Sequence, residues 1–145
     1  MITLESLAKS GSEDAHQSAL FCWAQQNEAK YPELKYLFHI PNGGFRDIRT
    51  AGKLRATGVK KGVPDIYLPI KRGIFSGLWI ELKKDKKASV SKEQREWIVM
   101  LRSQCYAALV CVGWEEAKEV IECYLNSGRI PITTQYGVIR FNLQK

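Results

Sequence analysis

Residues 65 to 83 constrain the fold more tightly than any other stretch of the chain. Asp65-Ile66-Tyr67-Leu68-Pro69-Ile70 and Leu78-Trp79-Ile80-Glu81-Leu82-Lys83 alternate almost strictly between aliphatic and other side chains, which is the period of a β-strand. Ile66, Leu68, Ile70, Leu78, Ile80 and Leu82 therefore share one face, and Asp65, Tyr67, Pro69, Trp79, Glu81 and Lys83 share the other. With residues 71 to 77 as a hairpin loop centred on Gly73, the register places Asp65 opposite Glu81 and Tyr67 opposite Trp79.

The flanking sequence reads as helices and further strands. Residues 1 to 11 are expected to form a loose leader. Ser12 is placed to cap a helix that starts with Glu13 and Asp14, favoured at the positive end of the dipole, and runs to about Glu28. Tyr36-Leu37-Phe38-His39-Ile40 predicts a short strand, stopped by the loop-forming Pro41-Asn42-Gly43-Gly44. Ile48, Ala51 and Leu54 predict a short helix over 47 to 57, ended by Gly58. Ser91 and Gln94 match a capping box, opening a helix with Trp97, Ile98, Leu101 and Cys105 toward the core. Residues 106 to 112 are apolar almost throughout, as a strand covered on both faces should be. Trp114, Ala117, Val120, Ile121, Tyr124 and Leu125 mark a last amphipathic helix ending at Asn126-Ser127-Gly128. The tail from 129 is β-prone. The pattern α, β, α, β, β, α, β, α defines an α/β domain, a mixed sheet flanked by helices, whose strand order the sequence does not reveal.

At 145 residues the chain fits one domain with a real core. No apolar run is long enough to span a bilayer, and the N-terminus lacks the basic start and apolar stretch of a secretory signal, which points to an intracellular, cytoplasmic protein. The four cysteines form no Cys-x-x-Cys pair and the two histidines lie far apart, so a zinc site is not expected and the thiols are read as reduced and buried. A net charge of +7 favours polyanions through phosphate neutralisation.

Two carboxylates facing each other across adjacent strands repel unless a cation sits between them. Oxygen ligands suit Mg²⁺ or Mn²⁺, hard ions that keep waters able to act as nucleophiles. Lys83, two residues beyond Glu81, projects from the same face. Its ammonium could orient the water, help deprotonate it, or neutralise charge growing on a phosphate, and the sequence does not choose among these. A solvated hairpin face with cross-strand ion pairs would use the same residue types. Pro64 before Asp65, the glycine-lysine loop at 58 to 63 and the lysine cluster after Glu81 favour a site. Backbone contacts to nucleic acid would come from cations around it, foremost Lys60, Lys61 and Lys86, with Lys84, Lys87 and Arg46. Tyr67 and Trp79 could stack on a base, though a cross-strand aromatic pair is the simpler reading.

Pro64-Asp65 followed by Glu81-Leu82-Lys83 resembles the PD-(D/E)xK nuclease signature. The wider context is similar to its VRR-NUC branch, the virus-type replication-repair nucleases: Glu13 with Gln17, Pro41 to Gly44, Gly58 to Asp65, Glu81 to Lys83, and Ser91 to Gln94, together spanning about residues 12 to 113. The resemblance implies a restriction-endonuclease-like core over residues 12 to 126; the β-prone extension from 127 to 145 lies outside it and is expected to offer a contact surface for oligomerisation. It implies that Asp65 and Glu81 bind a divalent metal, with the Leu82 carbonyl and Glu13 as further ligands, that Lys83 is the catalytic lysine and that Gln94 is the family's glutamine. Gln17, one helical turn from Glu13, and Asn42 in its loop are placed near the DNA. The expected activity is a Mg²⁺- or Mn²⁺-dependent, structure-selective DNA endonuclease of phage or bacterial origin, acting on branched DNA such as four-way junctions, as a homodimer. The competing expectations are a nuclease-fold DNA-binding module with little or no catalysis and a sequence-specific restriction-type enzyme.

Overall fold

The computed structural model describes residues 2 to 41 and 48 to 131. In chain order these form α1 (Leu4–Leu7), α2 (Glu13–Gln26), a 3₁₀ turn (Pro32–Tyr36), β1 (Phe38–His39), α3 (Ile48–Ala56), β2 (Ile66–Leu68), β3 (Leu78–Lys83), α4 (Lys92–Ser103), β4 (Ala107–Val112) and α5 (Gly113–Ser127). The sheet runs β1-β2-β3-β4, antiparallel across the first two pairings and parallel across the last. The parallel pair needs a crossover, and α4 supplies it. Ile66 pairs with Ile80, Tyr67 with Trp79 and Leu68 with Leu78, the register that the alternation predicts. Continued by one residue, it sets Asp65 opposite Glu81.

Both faces of the sheet are covered, by different helices. Ile66, Leu68, Leu78, Ile80 and Leu82 pack with Ala107, Leu109 and Cys111 of β4 against Ala19, Leu20 and Trp23 of α2 and the apolar stripe of α5. On the other face Ala108 and Val110 meet Val90, Ile98 and Leu101, with Trp79, Trp97 and Tyr106 around them. The α5 stripe is Trp114, Ala117, Val120, Ile121, Tyr124 and Leu125, as its helical spacing predicts. Gly128 ends that helix in the left-handed region, where a glycine carries no Cβ penalty.

Three expectations are corrected. The leader is not loose: Thr3 and Ser6 form a capping box around α1, and Leu4 and Leu7 pack on the main core, so apolar burial holds this segment. The strand expected over 36 to 40 shrinks to Phe38–His39, because the turn begun by Pro32 runs through Tyr36. Cys105 does not face the core: it follows the C-cap of α4 with φ 64° and is exposed, taking the left-handed position that ends a helix. Cys111 is buried, while Cys22 and Cys123 are half-buried. Asn42, Arg46 and the tail from 132 onward lie outside the described residues. Among the described residues no helix is long and apolar enough to cross a membrane.

Candidate active site

Pro64, which has no N–H to donate, precedes β2, and the β2–β3 pairing stops at Ile66 and Ile80. Beyond that point Asp65 takes over the bonding. Its Oδ2 accepts the Leu82 backbone N–H at 2.9 Å. Its own carbonyl accepts the Ile40 N–H at 2.7 Å and meets His39 Nδ1 at 3.0 Å. One carboxylate oxygen is thus spent on fixing the strand end.

Glu81 lies on the α4 side of β3 and is 1% exposed, with Lys83 6% exposed beside it. This face is therefore not the solvated one that surface ion pairs would give. Glu81 Oε1 accepts Gln94 Nε2 at 2.6 Å and lies 3.2 Å from Lys83 Nζ. Gln94 Oε1 in turn accepts Lys83 Nζ at 3.2 Å and the Ser91 N–H at 2.9 Å. Gln94 thus closes the α4 capping box and, through the same amide, joins the carboxylate to the lysine.

Glu81 Oε2 is buried and has no hydrogen-bond partner among the described residues. Such an atom is costly to leave unmatched. Burial first, and then the facing Asp65 charge, push the Glu81 carboxyl up to about 8, against the pull of Lys83. Asp65 is raised as well, chiefly by burial, with the Leu82 N–H and Lys83 opposing. Glu13, at the start of α2, is electrostatically within reach: burial and then the Asp65 charge raise it, while Lys83 and Lys84 lower it. The three carboxyls repel one another, and the Lys83 ammonium offsets only part of that repulsion. Among the described residues no three His, Cys, Asp or Glu side chains converge tightly enough to cage an ion alone. An octahedral ion that keeps several waters needs only one or two carboxylates, so the donor set fits a hard divalent cation.

The basic loop before Asp65 abuts α4. Gly62 (φ +90°) passes so close to its first turn that a Cβ would lie 2.6 Å from the Glu93 carbonyl carbon, and Lys61 Nζ stands 3.5 Å from Glu93. Lys60, Lys61, Lys84, Lys86 and Lys87 are exposed at the two chain segments that bracket the carboxylates. Gln17 is half-buried one turn after Glu13. The sequence reading missed His16, whose Nδ1 accepts the Trp114 N–H at 3.3 Å and so ties α2 to the start of α5. Its only signal is a place one turn after Glu13. It also missed the aromatic neighbours of Tyr67 and Trp79, of which Phe38 lies within the short strand expected over 36 to 40.

A mixed sheet flanked by helices, with aspartate, glutamate and lysine presented by one hairpin, defines the chain as a nuclease-type fold of the PD-(D/E)xK class. The VRR-NUC domain pattern matches residues 11–115, and the chain belongs to that family. A solved VRR_NUC domain protein is 34% identical, covering 79% of this chain and 90% of its own, and superposes with a TM-score of 0.68. Among curated proteins none matches.

Proposed function

We propose that this chain is a divalent-metal-dependent DNA endonuclease that hydrolyses phosphodiester bonds, with branched DNA such as a four-way junction as its substrate. The single observation that carries this reading is the unpartnered buried oxygen of Glu81, set opposite Asp65 and beside Lys83. A binding module gains nothing from a buried, mutually repelling carboxylate pair, whereas a cation site is made by one.

Asp65, Glu81, the Leu82 carbonyl and Glu13 would hold Mg²⁺ or Mn²⁺. Such an ion, when bound, supplies positive charge against the phosphate and acidifies a water. The protein's own groups do the rest. Gln94 and Lys83 fix one Glu81 oxygen and leave the other without a hydrogen bond among the described residues, free to accept a cation. Lys83, held by Gln94, presents its ammonium to the phosphate or the attacking water and offsets the charge that grows in the transition state. Lys60, Lys61, Lys84, Lys86, Lys87 and Arg46, with Gln17 and Asn42, would meet the DNA backbone. Contacts of this kind position a duplex without reading its sequence, which leaves DNA shape as the selector. Two symmetric nicks across a junction would call for a homodimer.

The test is a cleavage panel of single-stranded, duplex, flap and four-way DNA with Mg²⁺ and with Mn²⁺. Junction DNA should be cut, and Asp65→Ala, Glu81→Ala and Lys83→Ala should each lower the rate by on the order of 10²–10⁴-fold. Retained cutting in all three variants removes the site assignment. Absence of both cutting and Mg²⁺ binding, with DNA affinity intact, favours a pure binding module.

A further inference from the structure

The sheet face that carries Asp65, Glu81 and Lys83 also carries a row of aromatic rings, and the nuclease reading makes no use of it. Tyr67 and Trp79 are stacked at 4.0 Å between centroids with 15° between planes. Phe38, opposite Tyr67 on the edge strand, meets it edge-on at 5.7 Å and 76°. Tyr106 closes the far end, edge-on to Tyr67 at 6.2 Å and to Trp79 at 6.4 Å. Simple packing accounts for Trp79 and Tyr106, which lie beside the α4 cluster. It does not account for Phe38, which is 45% exposed at the open end of the row.

Two features indicate what this face meets. Tyr67 and Trp79 each lie two residues from a carboxylate on the same strand face, a separation of about 7 Å, comparable to the reach from a backbone phosphate to a neighbouring base. The cations on either side of the carboxylates suit the backbone of such a strand. A base inside a duplex is paired and stacked and cannot lie on this row, whereas an unpaired base can.

We propose that Phe38, backed by Tyr67 and Trp79, is a stacking platform for an unpaired base next to the backbone phosphate that crosses the Asp65–Glu81 site, so that among branched DNAs the site selects those with an unpaired nucleotide at the cut. The proposal rests on the reading that a DNA strand crosses these carboxylates. Base–aromatic stacking tolerates any sequence because every base has a π-face, which agrees with recognition by shape.

The test is binding without divalent metal, using an oligothymidylate, a blunt duplex of equal length, and that duplex with one unpaired terminal 2-aminopurine. Wild type should quench the 2-aminopurine and prefer the unpaired substrates. Phe38→Leu should weaken them by on the order of tenfold, lose the quenching and leave duplex affinity unchanged, while Phe38→Trp should restore both. Unchanged binding by Phe38→Leu, or an equal loss on all three ligands, overturns the platform. The two readings fail separately. A wild type that cuts no DNA but shows this aromatic-dependent preference loses the nuclease and keeps the platform, and cutting that is indifferent to Phe38→Leu does the reverse.

Discussion

Two neighbouring regions handle charge in opposite ways. On β3 and α4, Glu81 and Lys83 are buried and joined through Gln94. From α3 to the loop before Asp65, no helix residue is buried, and Arg49, Lys53, Arg55, Lys60 and Lys61 all stand in solvent. In the first region low dielectric magnifies every interaction, so one atom or one proton decides the outcome. In the second, water and salt screen each charge and only their number counts. On the proposed reading, chemistry falls to a few buried side chains, and affinity for a polyanion is spread over many exposed ones.

Glu81→Gln should break the buried side of this contrast most severely. Folded Glu81 titrates near 8 rather than at its ordinary 4.5. Below about pH 4.5 both folded and unfolded chains hold the proton and there is no penalty. Between about 4.5 and 8 the unfolded chain releases it while the folded chain retains it, so stability falls as pH rises through that window. The full cost, on the order of a few kcal/mol, is present above about pH 8. Asp65, also raised, adds a contribution of the same sign. Unfolding midpoints measured in chelator from about pH 5 to about pH 9 should decline for wild type and decline less for Glu81→Gln, which should be the more stable at the alkaline end. Added Mg²⁺ or Mn²⁺ should recover the loss in wild type alone. An unchanged slope in the variant would place the titrating group elsewhere.

Gln94 sharpens the contrast, because it serves structure and site through one amide. Ser91→Ala removes the α4 cap without touching Glu81 and should cost about 1 kcal/mol while leaving cleavage near wild type. Gln94→Ala removes both functions. It should cost about 1–3 kcal/mol and reduce metal affinity or cleavage by about 10–100-fold, the usual effect of losing a group that orients a ligand. Urea unfolding and cleavage rates of the two variants, compared side by side, separate the roles. Equal cleavage by both variants would reduce Gln94 to a capping residue.

How legible these two regions are in the sequence differs for the same physical reason. Strict alternation restricts the β2–β3 register to pairings that keep Ile66, Ile80 and Leu82 on one face, the loop centred on Gly73 selects among them, and the facing of Asp65 and Glu81 follows. Gln94 was ambiguous, because a capping glutamine and a site glutamine occupy the same sequence position and only the seating of α4 shows that one side chain does both. Burial of Glu81 and Lys83 was not legible, since alternation assigns a face without saying what covers it. The packing of α1 was missed because four residues with Leu4 and Leu7 give too short a period to read. Cys105 was misplaced because helical spacing continues past the cap into a residue that has already left the helix. The aromatic row needs β1 beside β2, and the strand expected at Phe38 carries no sign of which strand it pairs with.

The exposed region should respond most gently. Lys60→Gln and Lys61→Gln should each weaken DNA binding by a similar factor on duplex and junction, and each should reduce the slope of log affinity against log salt by roughly one. Their unfolding midpoints should not move, since the Lys61–Glu93 pair has 80% and 41% of its side chains exposed and water already satisfies both ends. Affinities of wild type, the single variants and the double variant, taken over a salt series, provide the measurement. Additive slopes would support independent phosphate contacts. A double variant no weaker than Lys61→Gln alone would mean that Lys60 faces solvent only, whereas unchanged affinity in both single variants would move the backbone contacts across the site to Lys84, Lys86 and Lys87.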